Sequence, residues 1–374
     1  MFYTAIFMEV SLKTNKLHEN QLKLIRQLAQ FPVLDYESCL RILDTEGTGN
    51  KLAMSYAFRP LTRNNYLGKD FEGYVTILSK GRALFPELTP LISAGGIATR
   101  QRAAQVSRMA MRMEEIGIPC CGERQENMDR YFIPSACWRR IAPGILSTTR
   151  FVGMLIMGKQ RYAVYDIGNG QMDWQIRAES SLFYYKYGNH ETRAHGMILV
   201  CEDGKRNKIA ENIIRQTMWN RKQLLRDDYT ERTKPTRWSS SPIRLRAQYM
   251  HVYLTTQRDL RESLRLIQHE KTIIAKDSKG STALNDPSQG DYEIARTRCF
   301  ANPASDLLKY VYFFSAVKTH LMMLEHSEYY TNNLTYKLII TEKDGPLMNL
   351  YPDVGNAGCV KIYVYNLEAY NFAD

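Results

Sequence analysis

The chain has 374 residues, with Lys+Arg 50 against Asp+Glu 39 for a formal net charge of +11, and is 44% hydrophobic and 24% charged. That balance excludes a wholly disordered, collagen-like or fibrous chain, and the length corresponds to roughly two domains of ~150 residues. Seven scattered cysteines with no CxxC spacing suggest neither a disulfide framework nor a zinc site.

No apolar run reaches the ~18 residues of a membrane span. Met1–Val10 is apolar but has no basic leader and is followed by Lys13 and Lys16, a poor secretory signal, so a cytoplasmic location is expected. Lys16–Gln30 places Leu17, Leu22, Leu24, Ile25 and Leu28 mostly on one face of an amphipathic helix. Phe31-Pro32 ends it, and Asp35 can cap a second helix carrying Cys39, Leu40, Ile42 and Leu43. A turn at Glu46–Asn50 leads to a third apolar-periodic segment with Leu52, Ala53, Tyr56, Phe58 and Leu61. Pro60 is expected to kink or end that helix early, leaving Arg63 on the following loop. Tyr66–Lys69 and Tyr74–Leu78 read as short strands around a turn, and Ser79–Phe85 begins another helix.

Thr99–Ile116 is the strongest helix, with Ala103, Val106, Ala110 and Met113 on one stripe, arginines opposite and Gly117 as its stop. Its methionines are read as core filling. Beyond it the pattern changes to near-continuous apolar strands at Arg150–Met157 and Arg161–Ile167, a hairpin through Gly158-Lys159-Gln160. Further strands are expected at Gly196–Cys201 and Tyr249–Thr255, each followed by a helix (Lys205–Arg215, Asp259–His269). This alternation predicts a mixed or parallel α/β sheet. Lys276–Asp291 reads as an exposed, mobile loop, Asn302–Glu325 as helical, and Tyr336–Thr341 and Val360–Tyr365 as terminal strands.

The basic charge is concentrated. Gly47–Lys69 holds Lys51, Arg59, Arg63 and Lys69 and no acid, and Gly95–Arg112 holds Arg100, Arg102, Arg108 and Arg112 and no acid. Lys205–Arg261 carries 14 basic against 5 acidic residues. Three such runs point to phosphate contact, with Arg100 and Arg102 as candidates in the second. The seven histidines contain neither HxH nor HExxH, so no metal site and no cofactor are indicated.

Helix, helix, turn, helix, hairpin is the winged helix-turn-helix order, and Val75-Thr76-Ile77-Leu78-Ser79-Lys80-Gly81-Arg82-Ala83-Leu84 resembles the Y-x-L-T-x-x-G-R-x-L ending of many bacterial winged-helix proteins. The resemblance implies a third helix in the major groove and a hairpin on the neighbouring backbone. Carried over by position, Lys51, Ser55, Arg59, Thr62 and Arg63 become candidate DNA contacts and Lys69 a phosphate contact. The order of a winged helix (1–92), a basic helix and connector (93–148) and a mixed α/β domain (149–374) is similar to the replication-relaxation family of plasmid and conjugative-element proteins. That family's C-terminal part resembles a restriction-endonuclease-type core. Such a core cuts when one acid and a following Asp/Glu-x-Lys hold a divalent metal. Asp166 and Glu179 are the weak catalytic candidates, but Glu179 is followed by Ser180-Ser181 rather than the required lysine, so the core reads as degenerate.

The leading expectation is therefore a non-catalytic, sequence-specific double-stranded DNA-binding protein of a mobile element, serving replication, transfer or transcription control. Expected partners are duplex DNA, a second copy of the chain at paired half-sites, or a host or element-encoded protein, with no membrane. Two alternatives stay open: a metal-dependent nuclease or nicking enzyme using Asp166 and Glu179, and an element-encoded inhibitor that binds a host nucleic-acid enzyme.

Overall fold

The computed structural model describes residues 17–44, 47, 49–92, 97–141, 150–168, 194–215, 251–277, 282–283, 291–294, 297–326 and 334–365. The chain is mixed α/β and separates into two units, Met1–Gly158 and Lys159–Asp374.

In the first unit, α1 (Glu19–Gln30) buries Leu24, Ile25, Leu28 and Ala29 along one face, the stripe that its apolar spacing dictates. A three-residue strand β1 (Val33–Asp35) follows, then α2 (Tyr36–Leu43). Asp35 caps α2 as its sequence position suggested, its carboxylate accepting from the Ser38 amide and hydroxyl at 2.8 Å each. α3 (Lys51–Arg63) is capped by the Asn50 side chain, which accepts from the amides of Leu52 and Ala53 at 3.2 Å. α3 buries Met54, Phe58 and Leu61. Strands β2 (Leu67–Lys69) and β3 (Tyr74–Ile77) form a hairpin, and β1 pairs antiparallel with β3, giving the sheet order β1-β3-β2. A single turn, α4 (Ser79–Arg82), closes this part. Gly81 lies so close to the Tyr66 carbonyl that a Cβ there would stand 2.5 Å from its oxygen. That close approach explains the glycine in the hairpin-following motif.

Pro60 does not end α3. The helix continues to Arg63, so Arg63 stands on its last turn rather than on a loop. The missing amide deprives only the Tyr56 carbonyl, and Tyr56 and Pro60 are both on the solvent-exposed face of the helix.

The described residues 97–141 belong to the first unit. α5 (Ile97–Glu115) buries Ala103, Val106, Met109, Ala110, Met111 and Met113, which confirms its methionines as core. Beyond it stand β4 (Arg130–Pro134), α6 (Ser135–Ile141) with Trp138 fully buried, and β5 (Phe151–Met157), antiparallel to β4. β4 and α6 have too few residues to show a period, so neither was legible.

The second unit contains β6 (Gln160–Gly168), β7 (Gly196–Cys201) and β8 (His251–Thr256), parallel in that order. Helix α7 (206–215) follows β7, and α8 (Leu260–Asp277) follows β8. Apart from the first residues of β6 and β8 and Gly168, these parallel strands are buried along their length, as the uninterrupted apolar runs anticipate. A second sheet has the order β13-β12-β11-β10-β9, built from β9 (Thr282–Ala283), β10 (Asp291–Ile294), β11 (Thr297–Asn302), β12 (Thr335–Thr341) and β13 (Val360–Tyr365). β11, β12 and β13 are parallel, whereas β9 and β10 add antiparallel. α9 (Leu307–His326) connects β11 to β12, and a 3-10 stretch (Glu342–Leu350) with the short α10 (Pro352–Gly355) connects β12 to β13.

The segment expected as one loop, Lys276–Asp291, instead includes the end of α8 and β9, because β9 finds a partner in β10; residues 278–281 and 284–290 lie outside the described residues. No helix among the described residues is long and apolar enough to cross a membrane.

Candidate nucleic-acid interface

The acid-free segment stands at the surface. With Met54, Phe58 and Leu61 facing inward, the opposite stripe of α3 is Leu52, Tyr56, Arg59 and Arg63, at steps of four, three and four residues. Leu52 is 63% and Tyr56 56% exposed, so the stripe presents two large apolar side chains to solvent. Arg59 lies over the Tyr56 ring, its guanidinium carbon 4.9 Å from the centroid. Lys51 opens the helix 3.5 Å from Glu37 in an exposed pair, a geometry that contributes little in water.

Tyr36 joins this helix to the hairpin. Its ring meets Phe58 edge-on at 5.0 Å, its hydroxyl lies 3.4 Å from the Ser55 hydroxyl, and the Lys69 ammonium sits 3.5 Å above its centroid. Lys69 at the end of β2 is thereby held beside α3. Ser55 is half-buried and turned toward Tyr36, and the Thr62 hydroxyl donates to the Arg59 carbonyl at 3.0 Å, a bond local to the helix. Of the six sequence candidates on α3 and β2, the outward-facing cations are Lys51, Arg59, Arg63 and Lys69.

The two candidates on α5 face different surroundings. The Arg100 guanidinium donates to Asp70 at 2.7 Å with only 26% of its side chain exposed, so its charge is already answered within the protein. Burial pushes the Asp70 carboxyl up, but the Arg100 bond and the Tyr74 and Glu72 amides outweigh it and hold Asp70 below its usual range. Arg108 is similarly engaged, 3.3 Å from Asp35. Arg102 is half-buried, and its Nη2 has no hydrogen-bond partner among the described residues. α5 therefore clamps the hairpin turn and the start of α2 through long-range ion pairs. Tyr36, Leu52 and Tyr56 were not among the sequence candidates; the four-residue step of Leu52 and Tyr56 on the face opposite Met54 and Phe58 was the signal that could have found them.

The second unit holds a different polar assembly. Asp306 is buried, and its carboxylate takes the His251 Nδ1 at 2.8 Å and the amides of Val252 at 3.1 Å and Leu308 at 3.0 Å. Beside it the Lys309 ammonium and the Tyr253 hydroxyl both donate to Glu270, at 2.5 and 2.8 Å. The Arg206 guanidinium donates to Asp344, whose other oxygen accepts from Ser305 and Tyr310 at 2.7 Å each. A cleft of about 730 Å³ opens at the carboxyl ends of β7 and β8, lined by Asp203, Arg258 and Lys343 among others. There Lys343 bridges Asp259 and Glu262 at 3.0 Å each.

Asp166 is buried in β6, its Oδ1 accepting from the Gly168 amide at 3.2 Å. Glu179 lies outside the described residues. Among the described residues no three His, Cys, Asp or Glu side chains come together as a metal-binding group. No family model, curated protein or solved structure matches the chain.

Proposed function

We propose that the first unit is a winged helix-turn-helix module and that the protein binds double-stranded DNA sequence-specifically, in the service of replication, transfer or transcription of a mobile element. The observation that carries this reading is the outward stripe of α3, which offers Arg59 and Arg63 beside Lys51 with no carboxylate from Lys51 to Lys69. The helix–strand–helix–helix–strand–strand order and the β1-β3-β2 sheet support it. In this arrangement α3 lies in the major groove, and Lys69, steadied on Tyr36, meets the neighbouring phosphates. The second unit acts as a non-catalytic α/β domain, similar to a restriction-endonuclease-type core, whose basic segment adds backbone contacts.

The test is selection from a random duplex pool with the purified full chain. A single recovered motif is expected, and Arg59→Ala should weaken binding to it by about 10-fold or more while changing random-duplex binding much less. Equal losses on both duplexes would reduce Arg59 to a phosphate contact, and recovery of no motif would remove the reading.

A further inference from the structure

The exposed stripe of α3 is divided chemically. Its C-terminal half is guanidinium, with Arg59 and Arg63; its N-terminal half is hydrocarbon, with Leu52 and Tyr56 one helical turn apart on the same face. More than half of each side chain's surface is exposed. A helix that met only phosphates would gain nothing from a leucine 63% exposed at its first turn. In the major groove the apolar feature that a base pair presents is the C5-methyl group of thymine, while arginine matches the O6 and N7 acceptors of guanine.

We infer that Leu52 and Tyr56 read thymine methyl groups, so that the recognised site contains an A·T-rich step under the N-terminal half of α3 next to a guanine-bearing step under Arg59. This deepens the DNA-binding reading and rests on it. Tyr56 serves twice, because its ring carries the Arg59 guanidinium and the edge that touches a methyl therefore also sets where that guanidinium points. The asymmetry fixes the polarity of the half-site, with methyl recognition on one side and guanine recognition on the other.

Deoxyuridine differs from thymidine at the site only by the missing methyl. Replacing each thymine of the selected site in turn by deoxyuridine, and measuring affinity by fluorescence anisotropy, tests the inference without altering the protein. One or two positions should each lose roughly fourfold in affinity, the scale of one buried methyl group. In the variant Leu52→Ala/Tyr56→Ala the thymine and deoxyuridine sites should bind equally. Both positions are exposed, and an unchanged thermal melt confirms that this variant folds. Sequence-specific binding that is indifferent to deoxyuridine at every position would overturn this inference and leave the DNA-binding reading standing. Absence of any sequence preference would overturn both. Loss of self-association in Leu52→Ala, with DNA affinity unchanged, would assign the apolar pair to contact between copies and also overturn it.

Discussion

A single histidine illustrates how the fold sets the chemistry of a side chain. Burial opposes a positive charge on His251, but the hydrogen bond and negative charge of Asp306 outweigh it, with Glu270 assisting and Lys309 opposing, and its pKa lies above the ordinary 6.5. Asp306 is driven up by burial and down, more strongly, by His251, Lys309 and the Val252 amide, and lies below 3.8. A raised histidine contributes stability that is complete below its unfolded pKa and fades as pH rises through its folded one. A lowered aspartate contributes above its unfolded pKa and is lost as pH falls through its folded one. Stability of the second unit is therefore expected to be greatest between about pH 4 and 6.5 and to decline as pH rises through the titration of His251. In Asp306→Asn the His251 ring resonances should titrate at lower pH and the alkaline decline should flatten; an unmoved titration would separate the two groups. Lys309 and Glu270, both buried, make a second residue-scale prediction. Lys309→Met should lower unfolding stability by about 3–5 kcal/mol by stranding Glu270, and Lys309→Met/Glu270→Leu should recover much of it, as read by urea denaturation.

Among the elements, α3 and the hairpin depend on a close backbone contact as much as on their own sequences. Gly81 lets the turn after β3 approach the Tyr66 carbonyl, and Ile77 Cγ1 would stand 3.0 Å from an added Cβ. Gly81→Ala should therefore cost roughly 1–3 kcal/mol and lower the thermal midpoint of the first unit, because the blocking atom is backbone and cannot rotate away. A neutral substitution would show that the turn has room to shift. The elements also differ in how openly the sequence displays them. α1, α2 and α5 follow from apolar spacing, and α2 is further marked by Asp35 immediately before it. β1 is hidden: three residues carry no period, and it exists as a strand because Val33, Leu34 and Asp35 meet Thr76, Val75 and Tyr74 some forty residues later. The chemistry of Pro60 alone predicts a kink or an early helix end. Its position on the outer face of the last turns of α3 makes the lost bond inexpensive.

For the whole molecule, the net charge of +11 becomes a statement about salt. In the proposed DNA complex, four outward cations on α3 and β2, each displacing one counterion, would give a slope of about −3.6 for log affinity against log salt, about a 150-fold loss between ~50 and ~200 mM. With added backbone contacts from the second unit the full chain should be steeper than about −3.6 in a potassium chloride series. A slope at or below that magnitude would confine phosphate contact to the first unit. Composition and periodicity determined the mixed α/β class, most helices and strands, and the presence of an acid-free basic helix, because those properties are local to a few turns of chain. They did not determine which charges remain available. Arg100 belongs to an acid-free run and looks outward in sequence, yet it pairs with Asp70, 30 residues away. Arg206 meets Asp344 across 138 residues. Only the tertiary structure decides which cations are neutralised inside and which, with Leu52 and Tyr56 alongside them, are left exposed at the surface, because an ion pair requires two distant segments to arrive at one place.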